Sequence, residues 1–150
     1  MSSRVRASRP ADLEQLAQLF DAYRSFYEQP SDLAASRSFI EERFECGDSV
    51  ILVGEVEEIE LVGFTQLYPS LSSVSMARIF VLNDLFVIPS VRRHGVARAL
   101  MQAAHEHARA AGAVRVSLST ATNNHHAQAL YESVGYQRDE VFHHYDLSLG

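Results

Sequence analysis

Lysine is missing from this chain; its 13 basic side chains are all arginine. The absence excludes a lysine nucleophile, a Schiff base and a phosphate-loop lysine. Cysteine is nearly missing as well. Cys46 stands alone, so no intrachain disulfide can form, and the usage fits a reducing compartment. No apolar run approaches the roughly 18 residues of a membrane-spanning helix, and the opening MSSRVRASRPADLEQ lacks the charged start and apolar core of a secretory signal. A basic excess is lacking too: the formal net charge is −6, which argues against a nucleic-acid or anionic-membrane binder. No Gly/Ser-rich linker breaks the 150 residues, so a single domain, 1–150, in the cytoplasm is expected.

What is present is a 47% hydrophobic chain whose apolar residues recur with two periods. Helical spacing runs over 11–27, with Leu13, Leu16, Phe20 and Tyr23 on one face, then over 31–46, 96–111 and 124–134. Strands are predicted near 4–7, over 50–56 and 59–68 as a hairpin, and over 78–88, 113–120 and 141–149. A meander of antiparallel strands followed by a β-α-β crossover makes the class α+β, with a mixed, mainly antiparallel central sheet and helices on both faces.

One strand contradicts its own environment. RIFVLNDLFVIP has two apolar blocks, as a strand buried on both faces should, yet Asn83 and Asp84 stand at its centre. A buried carboxylate must be hydrogen-bonded, neutralised or opened to a cleft. Adjacent strand residues face opposite sides unless a bulge intervenes, so the two are expected to do different jobs.

The next segment, SVRRHGVARAL, is a basic, glycine-containing helix start. Its backbone N–H groups and partial positive charge favour phosphate, and Gly95 with the small Ala97 lets a ligand approach closely. Arg92, Arg93 and Arg98 can add charge-assisted hydrogen bonds. The same segment also fits a solvated turn whose glycine eases packing. Neither G-x-x-x-x-G-K-[ST] nor G-x-G-x-x-G occurs, so it is not a P-loop or a Rossmann fingerprint. The histidines, including His105-x-His107 and the pairs at 125–126 and 143–144, lack cysteine partners and H-E-x-x-H spacing, and no metal site is expected.

Arg92-x-x-Gly95-x-Ala97 after a strand ending in LFVIP resembles the Q/R-x-x-G-x-G/A signature of the GCN5-related N-acetyltransferase (GNAT) superfamily. NHHAQALYESVGY, 124–136, resembles that family's N-x-x-A-x-x-L-Y-x-x-x-G-F/Y block, and the element order matches over nearly the whole chain. The resemblance implies an acetyl-CoA-dependent transfer to a primary amine by direct attack on the thioester. Arg92, Arg93, His94, Gly95, Ala97 and Arg98 would hold the pyrophosphate. The main chain of Leu85 and Val87 would pair with the pantetheine arm, an N–H near Val87 would polarise the thioester carbonyl, and Asn124 would bind the cofactor. Tyr131 matches the tyrosine that faces the sulfur as general acid; since a phenol with a pKa of about 10 is a weaker acid than a thiol at about 8.5, it would act by a hydrogen bond to the departing thiolate.

A primary amine with a pKa of about 10.4 is deprotonated only about one part in a thousand near neutrality, so a base or a water relay is useful. Members of the polyamine type often carry a carboxylate where this sequence has Asn83. An amide cannot act as a base, which moves that role to Asp84 or to a water chain. The acidic stretch of the second helix suits a cationic acceptor: a polyamine, a lysine-like amine, an amino acid or a basic protein tail. The branch also implies a homodimer. The alternative is an acyl-CoA-binding regulatory module without catalysis.

Overall fold

The computed structural model describes residues 3–150, in two compact units, 3–119 and 120–150. The first holds a five-stranded sheet: β1 (Ser3–Ala7), β2 (Val50–Val56), β3 (Glu60–Ser72), β4 (Ala77–Val87) and β5 (Val116–Ser117), side by side in that order. Pairing is antiparallel from β1 to β4 and parallel between β4 and β5, so the sheet is mixed.

Helices α1 (Leu13–Phe26) and α2 (Leu33–Cys46) cover one face. Leu16 and Ile40 from these helices are fully buried with Val53 and Phe64 of the sheet, and each such side chain contributes roughly 1.5–3 kcal/mol. A short 3-10 turn, Pro10–Asp12, precedes α1, which therefore starts two residues later than the periodicity over 11–27 suggests. Asp21 of α1 fixes the link to α2. Its carboxylate accepts from Ser31 Oγ at 2.6 Å, the Asp32 N–H at 2.8 Å and Ser36 Oγ at 3.2 Å. Asp32 in turn caps α2 by accepting the Ala35 N–H at 3.0 Å, and Gly47 ends that helix at φ 60°.

Helix α3 (Val96–Ala110) covers the opposite face. It comes so close that a Cβ on Gly54 would lie 3.0 Å from Val96, and one on Gly63 would lie 3.3 Å from Leu100 and 2.8 Å from the Phe86 carbonyl. Leu100 and Met101 are fully buried there.

The second unit contains α4 (His125–Ser133), inside the expected 124–134. Two strand expectations fail. The strand over 113–120 shrinks to Val116–Ser117, and its pairing ends at Val81, just before β4 bulges. A bulge bends and twists its strand, which takes β4 away from a straight neighbour. No strand forms over 141–149, where Val141, Phe142, Tyr145, Leu147 and Leu149 are exposed. Alternation marks a face, but a strand also needs a ladder partner, and sequence periodicity carries no information about that. Among the described residues no helix is long and apolar enough to cross a membrane.

Candidate active site

The polar pair in β4 is built around a bulge. Gln66 of β3 pairs with Asp84 while Leu67 pairs with Leu82, so Asn83 is an extra residue without a ladder partner. The bulge removes the ground for expecting Asn83 and Asp84 to do separate jobs, the regular alternation of a strand. The exposed Asn83 donates through Nδ2 to Asp84 Oδ1 at 3.0 Å. Asp84 itself is 5% exposed, on the face it shares with Phe86 and, across the ladder, Gln66 and Phe64. Gln66 Nε2 donates to Asp84 Oδ2 at 2.7 Å, and Ser49 Oγ donates to Gln66 Oε1 at 2.8 Å. Thr65 Oγ1 donates to the Asp84 carbonyl at 2.8 Å, and the Tyr23 hydroxyl donates to the Asn83 carbonyl at 3.4 Å. The carboxylate in the apolar strand is therefore hydrogen-bonded, among the described residues by the neutral amides of Gln66 and Asn83. Two residues beyond Gln66, half-buried Tyr68 feels the site: burial first, then the charge of Asp84, raises its pKa above the usual phenol value.

Beyond the bulge β4 presents an edge. The Ile88 N–H bonds to the Val62 carbonyl at 2.9 Å, on the β3 side. Main-chain groups alternate between the two neighbours, so those of Leu85 and Val87 point away from β3, where the pairing with β5 has already ended. Arg92 Nε donates to the Val87 carbonyl at 3.1 Å, and its guanidinium lies over the rings of Phe26 and Phe86, 5.6 and 5.9 Å from their centroids. The Arg92 side chain is thus tied to strand and aromatics.

The basic loop turns sharply into α3. Arg93 has φ 71° and Gly95 has φ 80°, and the first helical bond runs from the Ala99 N–H to the Gly95 carbonyl at 3.0 Å. The N–H groups of Val96 and Ala97 precede that ladder and point out of the helix start. Arg93, His94, Gly95 and Arg98 are exposed, and the space where Gly95 would carry a Cβ is open. Asp84, Leu85, Val87 and the 92–98 loop are consecutive features of one strand-to-helix passage in the first unit.

Asn124 and Tyr131 belong to the second unit. Asn124 is the N-cap of α4, its Oδ1 accepting the Ala127 N–H at 3.1 Å. Tyr131 is half-buried, with its ring 6.2 Å from that of Tyr136, whose hydroxyl is pushed up to about 12 by burial and by Tyr131. Among the described residues no three His, Cys, Asp or Glu side chains are grouped to hold a metal.

The pattern of the Acetyltransferase (GNAT) family matches residues 14–136. The chain belongs to this family. A Bacillus subtilis (strain 168) protein named as an uncharacterized N-acetyltransferase, YhfO, is 46% identical over 145 residues, 97% of each chain. The D-amino-acid N-acetyltransferase HPA3 of Saccharomyces cerevisiae is 29% identical over 143 residues, 93% of this chain and 88% of the yeast protein. A crystal structure of a probable acetyltransferase is similar with a TM-score of 0.93 and 41% identity, over 98% of each chain. As a GNAT protein with such relatives, the chain is an N-acetyltransferase.

Sequence reasoning did not connect Gln66 or Ser49 with Asp84. Their signal was of the same kind as that of Asp84: Thr65-Gln66 interrupts the apolar run of β3 as Asn83-Asp84 interrupts β4. Only the register, Gln66 opposite Asp84, joins the two interruptions.

Proposed function

We propose that this N-acetyltransferase moves the acetyl group of acetyl-CoA to the primary amine of a small molecule. The observation that carries the reading is Asp84, buried and held by neutral donors one residue before the open edge of β4. In this reading the pantetheine arm pairs with the main chain of Leu85 and Val87, and the Val87 N–H polarises the thioester carbonyl. The pyrophosphate sits on the helix start, against the N–H groups of Val96 and Ala97, with Arg93, His94, Gly95 and Arg98 around it. Arg92 occupies the Val87 carbonyl on that same edge and lies over the aromatic rings, which leaves the Val87 N–H for the thioester. Asn124 and Tyr131 of α4 carry the family's remaining cofactor roles, and the match over 14–136, which runs from one unit into the other, supports one functional domain.

The amine lone pair attacks the thioester carbon. The N–C bond forms, the C–S bond breaks, and the thiolate departs, accepting a hydrogen bond from Tyr131. Asp84 takes the amine proton, directly or through water. The name of the yeast relative supports an amino acid as one acceptor to try. Thiol release from acetyl-CoA, followed with amino acids of both hands, polyamines and lysine analogues, tests the reading: at least one amine should stimulate release, and none doing so sinks it. Cofactor binding is tested by Gly95→Glu. The substitution forces a side chain into a left-handed conformation and sets a negative charge at the phosphate seat. Millimolar acetyl-CoA should raise the wild-type Tm and leave that of Gly95→Glu unmoved, whereas equal shifts would place the anion elsewhere.

A further inference from the structure

We infer that Gln66, clamped by Ser49, is a positioning residue that aims the Asp84 carboxylate at the acceptor amine. The inference rests on the proposed role of Asp84 and adds to it a residue that touches neither acetyl-CoA nor the amine.

Gln66 is fully buried in the middle of β3. An amide at such a position is costly to desolvate unless both of its ends are used, and an apolar side chain would fill the space more cheaply. Both ends are used, and in one direction: Ser49 Oγ–H to Gln66 Oε1, then Gln66 Nε2–H to Asp84 Oδ2, at 2.8 and 2.7 Å. The chain of donors fixes the amide with its N–H toward Asp84. An ionised carboxylate has about four lone-pair sites. Gln66 takes one from the buried side, and Asn83, on the exposed bulge, takes one on the other oxygen. The remaining sites are the ones an amine N–H can use. The two holders differ in rigidity. Asn83 is exposed and is the extra residue of the bulge, without a ladder partner, whereas Gln66, at the last pair before the register shift, keeps ladder partners on both sides, Ile51 and Asp84, and is fully enclosed together with Phe64 and Thr65. Gln66 therefore sets the direction of the carboxylate, and Asn83 follows it.

The tests are Gln66→Met, of similar length without the donor, Ser49→Ala, which leaves the donor and removes its clamp, and Asp84→Asn. Gln66→Met should lower kcat about 10- to 100-fold with the KM for acetyl-CoA unchanged, the size expected when a reacting group is displaced by about an ångström. Ser49→Ala should lower kcat by a smaller factor, about 3- to 10-fold, in the same pattern. Combining Gln66→Met with Asp84→Asn should lower kcat no further than Asp84→Asn alone, because both changes remove one function. Full additivity in that pair, or wild-type kcat in Gln66→Met, overturns the inference. If Gln66→Met does not fold, unchanged kcat in Ser49→Ala overturns it instead. Wild-type activity in Asp84→Asn overturns the role of Asp84 itself and the positioning with it, a different result from activity lost in Asp84→Asn and kept in Gln66→Met. A crystal structure of Gln66→Met reads the same inference without turnover: the Asp84 carboxylate should be rotated from its wild-type position, and an unmoved carboxylate counts against it.

Discussion

Two places in the sheet bury carboxylates, and they do so by opposite means. At the β1 end, Glu55 and Asp12 are met by guanidinium groups: Arg6 reaches Asp12 at 2.8 Å and Glu55 at 3.0 Å, and Arg4 reaches Glu55 at 2.6 Å. The hydrogen bonds and charge of Arg6 hold Asp12 below the usual carboxylate range, and Arg6 with Arg4 does the same for Glu55. At the β4 bulge, the Asp84 carboxylate accepts its hydrogen bonds, among the described residues, from the amides of Gln66 and Asn83. The difference separates structure from chemistry. A carboxylate whose charge is matched by fixed cations is stapled in place and has little left to offer a substrate. One held by neutral donors keeps its direction while its charge stays available to an ammonium group or a transferred proton. If Asp84 acts as proposed, the identity of a buried carboxylate's partners, and not burial alone, marks the active one.

The largest effect belongs to the second kind. Asp84→Asn keeps the shape and hydrogen-bonding capacity of the side chain and removes its basicity, so kcat in the thiol-release assay should fall about 100- to 1000-fold, the contribution of a positioned base. The rise in Tm on adding acetyl-CoA should persist, because the cofactor seat proposed at the start of α3 lies further along the chain. A fall in Tm with turnover intact would reverse the comparison and make Asp84 another staple.

The two regions were also unequally legible. The phosphate seat proposed for the helix start was suggested by the sequence because glycine and arginine follow a strand at fixed spacing, and the elements around it obey local rules. The helices over 31–46 and 96–111 came out within a residue or two, since capping and 3.6-residue periodicity are properties of short stretches. Asp84 was conspicuous as a charge in an apolar strand. Its surroundings were not, because Gln66 and Ser49 lie 18 and 35 positions away and meet it only through the register of β3 on β4 and the hydrogen bond from Ser49. The bulge at Asn83 was equally hidden. A bulge is a mismatch between two strands, and neither strand read alone reveals it. The strand over 141–149 failed for the same reason: its periodicity was visible, its lack of a ladder was not.

The next effects fall on the stapled region and should touch stability without touching turnover. Arg6→Met removes the cation that Asp12 and Glu55 share and leaves two carboxylates facing an apolar stem. Tm should fall by roughly 5–10 °C, since breaking a largely buried pair leaves Asp12 without its Arg6 partner and Glu55 with Arg4 alone. Asp12→Asn should cost less, roughly 3–5 °C, because the amide oxygen can still accept the Arg9 N–H that the carboxylate now accepts at 2.8 Å. In both variants kcat should stay at the wild-type value, and a loss of turnover comparable to that of Asp84→Asn would dissolve the distinction between the two regions.

Acid gives the finest version of the comparison. Asp12 and Glu55 both titrate below their ordinary values in the folded chain. A carboxylate depressed by folding contributes stability that is fully present above its unfolded pKa, about 4, and is lost as the pH falls through the folded value. Wild-type Tm should therefore decline below about pH 4 more steeply than that of Arg6→Met, whose carboxylates have lost their main partner. The gap between the two melting curves, widest near neutrality, should narrow as both carboxylates are protonated. A gap that stayed constant from about pH 6 to about pH 2.5 would mean that Arg6 stabilises the fold through the packing of its stem, and that the staple at the β1 end is not electrostatic.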